Sequence, residues 1–259
     1  MSGSERTQEL STGAIWHDVE CGSYIADLGA WEDLAARSAG VDGAADVLEL
    51  GCGTGRVSLF LARLGHRVTG LDRDPEVTDA LAGRAAVAGL EIDTVIADAS
   101  SFRLDSRFDV VLATMQLIQL MPGRAGRLSL LEHARAHLRP GGRFAAALLD
   151  LSGEPLDGDY TPPLPDMREV GGWVYSSQPV AIRSLESGAA ISLDRLRRAV
   201  SPEGDLVESF VEVRLELVSA AMLEEEATAA GLAPEPRIAI PATDDHVGSV
   251  VVVARAEDG

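Results

Sequence analysis

The sequence predicts an α/β protein: a doubly wound parallel sheet that carries a late antiparallel insertion. Two observations predict it. From Asp46 onward, short apolar runs alternate with stretches of helical periodicity, the pattern of right-handed βαβ units. After residue 150 the alternation gives way to three long strand-like segments, the last of period two, and it resumes at Ser219. The chain therefore divides into an N-terminal tail with cap helices (1–43), a main domain in two pieces (44–150 and 219–259) and an inserted antiparallel subdomain (151–218).

The elements follow in order. Residues 1–13 are polar and expected to be disordered, and 14–39 read as one or two helices through Ile15, Tyr24, Leu28, Trp31 and Leu34. DVLEL is a buried strand. GRVSLFLARLG is a helix with Val57, Phe60, Leu61 and Leu64 on one face and Gly65 as its stop. HRVTGLD is a second strand, followed by a helix with Pro75 in its first turn and Gly89 at its end. EIDTVIAD and RFDVVLAT are strands three and four. The helix RAGRLSLLEHARAHLRPGG closes on a Pro-Gly-Gly turn, and RFAAALLD is strand five. GEPLDGDYTPPLPD is a loop. WVYSSQPVAIRS, AAISLDRLRRAV and DLVESFVEVRLELV form a three-stranded meander whose last strand turns Val211, Val213 and Leu215 to one side and Phe210, Glu212 and Arg214 to the other. A helix capped by Ser219 and the strands PRIAIP and SVVVVAR complete the main sheet.

Composition excludes several function classes. Asp and Glu outnumber Lys and Arg 41 to 22, for a net charge of −19, which opposes binding to nucleic acid. The acidic excess serves solubility, and an acidic patch would also attract a cationic small molecule. Two cysteines, Cys21 and Cys52, make neither a disulfide framework nor a zinc site, and fit reduced thiols of a cytoplasmic protein. The polar N-terminus is not a signal peptide, and no apolar run reaches the roughly 18 residues that span a membrane.

Chemistry concentrates in LELGCGTGR, residues 48–56, where Gly51, Gly53 and Gly55 follow a strand and open a helix. Such a turn makes a nucleotide crevice at the strand's carboxyl end, and glycine lets a ligand approach the backbone. A phosphate loop needs Gly-Lys-Ser/Thr, and Arg56-Val57 stands there instead. The dinucleotide fingerprint puts its third glycine at position 56, which is arginine, and this disfavours a NAD-dependent reductase. Glu49 beside the loop would repel a pyrophosphate but suits an ammonium or sulfonium. Asp72 ends strand two, where a carboxylate accepts from both ribose hydroxyls. Asp98 ends strand three, placed for an adenine amine, although DASSF also fits a helix cap. Asp109 begins strand four, away from the crevice, and reads as structural. The implied ligand is an adenine nucleoside with a cationic tail and no phosphates.

In these motifs the sequence resembles the class I S-adenosylmethionine-dependent methyltransferases. VLELGCGTG matches their first motif, VTGLD the ribose motif at Asp72, ADASSF the adenine-side motif at Asp98, and FDVVLATMQLIQLM and LRPGGRFAAALL the motifs of strands four and five. The resemblance covers 44–150 and 219–256 and implies a Rossmann-like seven-stranded sheet of order 3-2-1-4-5-7-6 with an antiparallel last strand. It implies S-adenosyl-L-methionine as cofactor, S-adenosyl-L-homocysteine as product, and a cofactor set of Tyr24, Glu49, Gly51, Cys52, Gly53, Gly55, Asp72, Arg73, Asp98, Ala99, Thr114 and Met115.

The acceptor is expected to be a small molecule methylated at N or O. Strand four ends in Thr114-Met115-Gln116, without the Asn/Asp-Pro-Pro-aromatic motif of enzymes that methylate DNA bases. Gln116 and Gln119 fall on the acceptor side, Gln119 also fitting a plain surface turn. The loop PATDDHVG before the antiparallel last strand returns to the crevice edge. His246 there is the candidate general base, oriented by Asp244 or Asp245, or else an ordinary turn residue. Trp16, His17 and Tyr24 are the aromatics of the N-terminal cap, and Tyr24 is chosen for the sulfonium end, since related enzymes carry a tyrosine there. The insertion resembles that of amino-sugar N-methyltransferases and glycine N-methyltransferase-like enzymes, which makes Trp173 and Tyr175 acceptor-facing or interface residues and suggests a homodimer through the meander. His133 and His137 lie four apart on a helix and read as a solvated face rather than a metal pair, so no metal is expected. The alternative is a protein of the same fold that binds the cofactor without methylating, as a cyclase or ligand binder.

Overall fold

The computed structural model describes residues 12–149, 162–243 and 246–257. Seven strands form the main sheet: β1 (Asp46–Leu50), β2 (Arg67–Asp72), β3 (Ile92–Ile96), β4 (Phe108–Ala113), β5 (Leu138–Leu149), β10 (Leu232–Ile240) and β11 (Ser249–Ala256). Their order is β10-β11-β5-β4-β1-β2-β3. The neighbours from β3 to β5 are parallel, while β11 runs antiparallel to both β5 and β10. Without the insertion this is the expected order, 3-2-1-4-5-7-6.

The central strands are buried on both faces. Leu48, Leu50, Val111 and Phe144 pack to one side with Leu130, Leu131 and Leu223, which come from α6 (Gly123–His137) and α7 (Ala220–Ala229). Val47, Val110 and Leu112 pack to the other side with Trp31 and Leu34 of α2 (Leu28–Ser38) and Val57 and Leu61 of α3 (Arg56–Arg63). Such strands read as unbroken apolar runs because neither side meets water. α4 (Pro75–Ala88) starts on Asp74, whose carboxylate accepts from the Glu76 amide, and stops at Gly89 in the left-handed region. Ser219 caps α7 as the sequence implies. At the foot of the sheet, Asp109 accepts from the Asp46 amide and pairs with Arg139, and the Ala45 amide donates to the His66 ring, so both side chains serve structure.

Four readings need correction. Leu64 is exposed, because α3 ends one residue earlier and its buried stripe is Val57, Leu59 and Leu61. No separate turn follows α6, since the Pro-Gly-Gly segment lies within β5 and is absorbed by a register shift against β4. His137 is no surface residue: it is buried against Phe102 and its Nε2 accepts from the Leu104 amide. The insertion has four strands, not three. β6 (Asp166–Val170), β7 (Trp173–Leu185), β8 (Ala190–Val200) and β9 (Leu206–Glu216) form a separate antiparallel sheet in that order. β6 escapes a hydrophobicity reading because an edge strand of Asp, Met, Arg, Glu and Val buries little. Its turn, Gly171-Gly172, has positive φ at both residues, the requirement of a tight hairpin.

The helix α1 (Thr12–Cys21) lies between α4 of the main domain and β6 and β7 of the inserted sheet. Glu20 accepts from Ser177 and Arg197 and pairs with Arg195, while Trp16 meets Tyr175 edge-on at 5.3 Å. Burial pushes the Glu20 carboxyl up, but Arg197, Ser177 and Arg195 outweigh it and hold it below the usual range. Among the described residues, no helix is long and apolar enough to cross a membrane.

Candidate cofactor and acceptor site

The carboxyl ends of β1, β2 and β4 lie side by side at one edge of the sheet, where the glycine turn follows β1. Gly51, Gly53 and Gly55 all have positive φ, at 65°, 53° and 92°, so each needs glycine on conformation alone. Packing demands it again. A Cβ on Gly51 would stand 3.0 Å from Leu117, one on Gly53 would run into the His17 imidazole, and one on Gly55 into Leu81. The expectation that these glycines exist to admit a ligand is therefore incomplete, since the side each would fill with a Cβ already meets a protein side chain.

Beneath the loop, Glu49 is buried. Its oxygens accept from Ser58 Oγ at 2.5 Å and Thr114 Oγ1 at 2.8 Å, tying β1 to α3 and to the end of β4. Burial pushes its carboxyl up to about 7, with the two hydroxyls offsetting only part of the rise. Asp72 accepts from the Gly53 amide and the Asp74 amide, both at 3.0 Å. Each of its oxygens keeps a lone pair for a further donor. One oxygen of Asp98 accepts from both the amide and the hydroxyl of Ser100, the cap-like turn the sequence allowed. Exposed Arg73 supplies Asp98 with a nearby positive charge, and Ala99 is buried. The Cys52 thiol is buried and pushed up by burial and by the charges of Glu49 and Asp72, so it stays protonated.

Past Thr114 the backbone is strained: Met115 has φ 53°, a left-handed conformation unusual for a side chain of its size. Gln116 then precedes the short helix α5 (Leu117–Leu120), without a side-chain capping bond. Gln119 is not a surface residue. Its amide is buried, accepts from the Leu149 amide at 2.7 Å and donates to the Glu216 carbonyl at 3.3 Å, stapling α5 to β5 and β9.

Tyr24 and His246, far apart in sequence, meet here with ring centroids 4.9 Å apart. Arg56 lies 5.3 Å from the Tyr24 ring centre, donates to the Tyr24 carbonyl and forms a two-pronged pair with Asp27. Tyr24 is buried, and its hydroxyl forms no well-aligned hydrogen bond, with the Ser249 side chain as its neighbour. Its phenol is pushed up, mainly by burial. The loop carrying His246 is closed by Thr243, whose amide donates to the His246 carbonyl and whose hydroxyl accepts from the His246 amide. Asp244 and Asp245, the proposed orienters, lie outside the described residues. Trp173 and Tyr175 stack at 6.3 Å, and Tyr175 also meets Trp16 of α1. No group of three or more metal-ligating side chains forms among the described residues.

Sequence reasoning missed Thr54, Asp18 and Arg84. Thr54 donates to Asp18 at 2.7 Å, Asp18 takes a two-pronged pair from Arg84, and Arg84 also donates to the Thr54 carbonyl. No short motif announces this, because α1, the loop and α4 contribute one residue each. Arg56 read only as a missing lysine, whereas its partner Asp27 lies 29 positions away.

Comparison with known proteins agrees with this geometry. Residues 47–142 match the family model described as a methyltransferase domain. The CcbJ methyltransferase of Streptomyces caelestis superposes with a TM-score of 0.70 and 25% identity, covering 91% of this chain and 97% of that one. Residues 47–142 are thus a methyltransferase domain, on a fold shared with class I S-adenosylmethionine-dependent methyltransferases. The sugar N-methyltransferase KedS8 of Streptoalloteichus shares the fold with a TM-score of 0.74 at 19% identity, over 99% of this chain and 98% of that one. A 2-heptyl-1-hydroxyquinolin-4(1H)-one methyltransferase of Mycobacteroides abscessus is 34% identical over 131 residues, 48% of this chain and 56% of the relative. The chain thus spans about half or less of the curated relatives it matches. S-adenosylmethionine is the superfamily's cofactor, and the residues present suit it: Asp72 and Asp98 offer acceptors without a competing lysine, and no side chain in the loop provides for a pyrophosphate.

Proposed function

We propose that the chain transfers the methyl group of S-adenosylmethionine to a nitrogen or oxygen of a small molecule. The observation that carries this reading is the meeting of Tyr24 and His246 at the same sheet edge as Glu49, Asp72 and Asp98. The cofactor, when bound, supplies an activated methyl whose leaving group is a neutral thioether, so no residue need act as general acid. Asp72 holds the ribose hydroxyls and Asp98 with Ala99 the adenine, while Arg73 and Met115 border the base. Glu49 acts from below, fixing the loop and Thr114 rather than meeting the solvent side. Tyr24 closes the sulfonium end. His246 takes the proton from an acceptor hydroxyl or ammonium, and exclusion of water with alignment of the acceptor does much of the rest.

On the acceptor side we place Gln116, Trp173, Tyr175 and His246; Gln119 contributes by holding the wall in place. Curated relatives include the quinolone enzyme and a ubiquinone biosynthesis O-methyltransferase of Methylobacterium, and structural neighbours include the sugar N-methyltransferase, which supports small acceptors of either kind. Nucleic acid is disfavoured by the net charge of −19, and the chain is read as cytoplasmic. A homodimer would use the outer face of the inserted sheet. Val174, Leu206 and Phe210 alternate there with Arg198 and Glu208, on the side turned away from α1. Incubation with S-adenosylmethionine and panels of amines, phenols and amino sugars should yield S-adenosylhomocysteine with at least one class. Cofactor binding with no product across all panels would favour the non-methylating alternative.

A further inference from the structure

The loop residue Gly53 is covered by a side chain from outside the motif. His17 of α1 lies flat enough against it that Nε2 and Cε1 are the atoms a Cβ would strike first. The other ring nitrogen has a defined role. His17 Nδ1 lies 3.2 Å from Thr54 Oγ1, and Thr54 Oγ1 lies 2.7 Å from Asp18 Oδ1. A carboxylate only accepts, so the single Thr54 proton goes to Asp18. Asp18 is ionised: burial pushes its carboxyl up, but Arg84 and Thr54 outweigh that and lower it. Thr54 can then only accept from His17, which puts the ring proton on Nδ1. Burial keeps the ring neutral, against the opposing charges of Asp18, Asp72 and Glu20 and alongside that of Arg84. Nε2 is therefore a lone-pair acceptor, and it has no hydrogen-bond partner among the described residues. It sits beside Gly53, whose amide donates to Asp72, the carboxylate assigned to the ribose.

We propose that His17 is a cofactor-positioning residue whose Nε2 accepts a hydrogen bond from a ribose hydroxyl shared with Asp72. The inference rests on the methyl-transfer reading only in taking S-adenosylmethionine as the ligand. It gives the Arg84–Asp18–Thr54–His17 relay a purpose: the relay fixes the tautomer and holds the acceptor over the loop. It also explains why α1 reaches the glycine turn at all.

Calorimetry with S-adenosylhomocysteine and 5′-methylthioadenosine tests it, the second ligand having the ribose but no amino-acid tail. His17→Phe should weaken both at least tenfold, and His17→Gln, whose side-chain oxygen can accept, should recover most of the loss. Wild-type affinity in His17→Phe would overturn the proposal, leaving the ring as packing over Gly53. Loss confined to S-adenosylhomocysteine would overturn the ribose assignment. Should His17→Phe fail to fold, ¹⁵N-histidine spectra of the wild-type protein decide instead. Saturation with 5′-methylthioadenosine should shift the His17 Nε2 signal upfield from the position of a free acceptor, and no shift would refute the contact. Failure of the wild-type protein to bind either ligand would instead refute the cofactor reading on which this rests.

Discussion

The seven-stranded sheet and the inserted sheet hold together by different chemistry. β1, β4 and β5 are apolar on both faces and sealed by helices. The inserted sheet meets α1 through Arg195, Arg197, Ser177 and Glu20, and turns Leu206 and Phe210 outward. Apolar burial is strong and indifferent to direction, whereas ion pairs add little net stability but demand one geometry. The main sheet is thus where stability comes from, and the insertion is where orientation is set.

Four tests can break or sharpen that contrast. The largest effect belongs to the crevice. Asp72→Ala removes two charge-assisted hydrogen bonds of about 1.5–3 kcal/mol each, so cofactor affinity measured by calorimetry should fall on the order of a hundredfold or more. Unchanged affinity would sink the ribose assignment. Next, Leu61→Ala should lower stability toward denaturant by about 2–5 kcal/mol, whereas Phe210→Ala on the open face should cost less than about 0.5 kcal/mol in the monomer. Equal losses would erase the distinction between the two sheets.

The third test uses pH. The Glu49 carboxyl is raised to about 7 in the folded protein by burial, above its unfolded value of 4.5. Its protonated form is favoured on folding, so its contribution is full below pH 4.5 and is lost as pH rises toward 7. Glu49→Gln should flatten that decline, which amounts to about 2 kcal/mol between pH 5 and pH 7.5 in urea unfolding. The fourth test concerns Glu20, whose carboxyl is held low. Its contribution is present above the unfolded value and disappears as pH falls through the folded one. Glu20→Gln should cost about 1 kcal/mol and remove part of the acid-side loss while leaving the Glu49 decline intact. A loss at neutral pH as large as that of Leu61→Ala would mean that the insertion carries core stability after all.

The main sheet was legible because buried parallel strands and glycine turns leave local marks: DVLEL, VTGLD and the three glycines each lie within a dozen residues. The acids at the strand ends followed from the same register. What escaped was non-local or of mixed character. β6 is a charged edge strand, Gln119 looks like any loop glutamine until β5 and β9 close around it, and His17 matters only because α1 folds back over Gly53. Tyr24 and His246 were each chosen separately, from resemblance and from topology, yet Tyr24 is also held by Arg56, which pairs with Asp27 across a separation no sequence window contains.

α1 has one further consequence. Asp18 on it binds Thr54 of the loop, Arg84 of α4 and Arg168 of β6, and two residues later Glu20 binds the inserted sheet. One short helix therefore touches both the glycine loop and the inserted sheet. Thermodynamic linkage then applies: whatever factor the acceptor imposes on cofactor affinity through α1, the cofactor imposes equally on the acceptor. On the proposed reading donor and acceptor would share a single binding equilibrium, with three turns of helix as the lever between them.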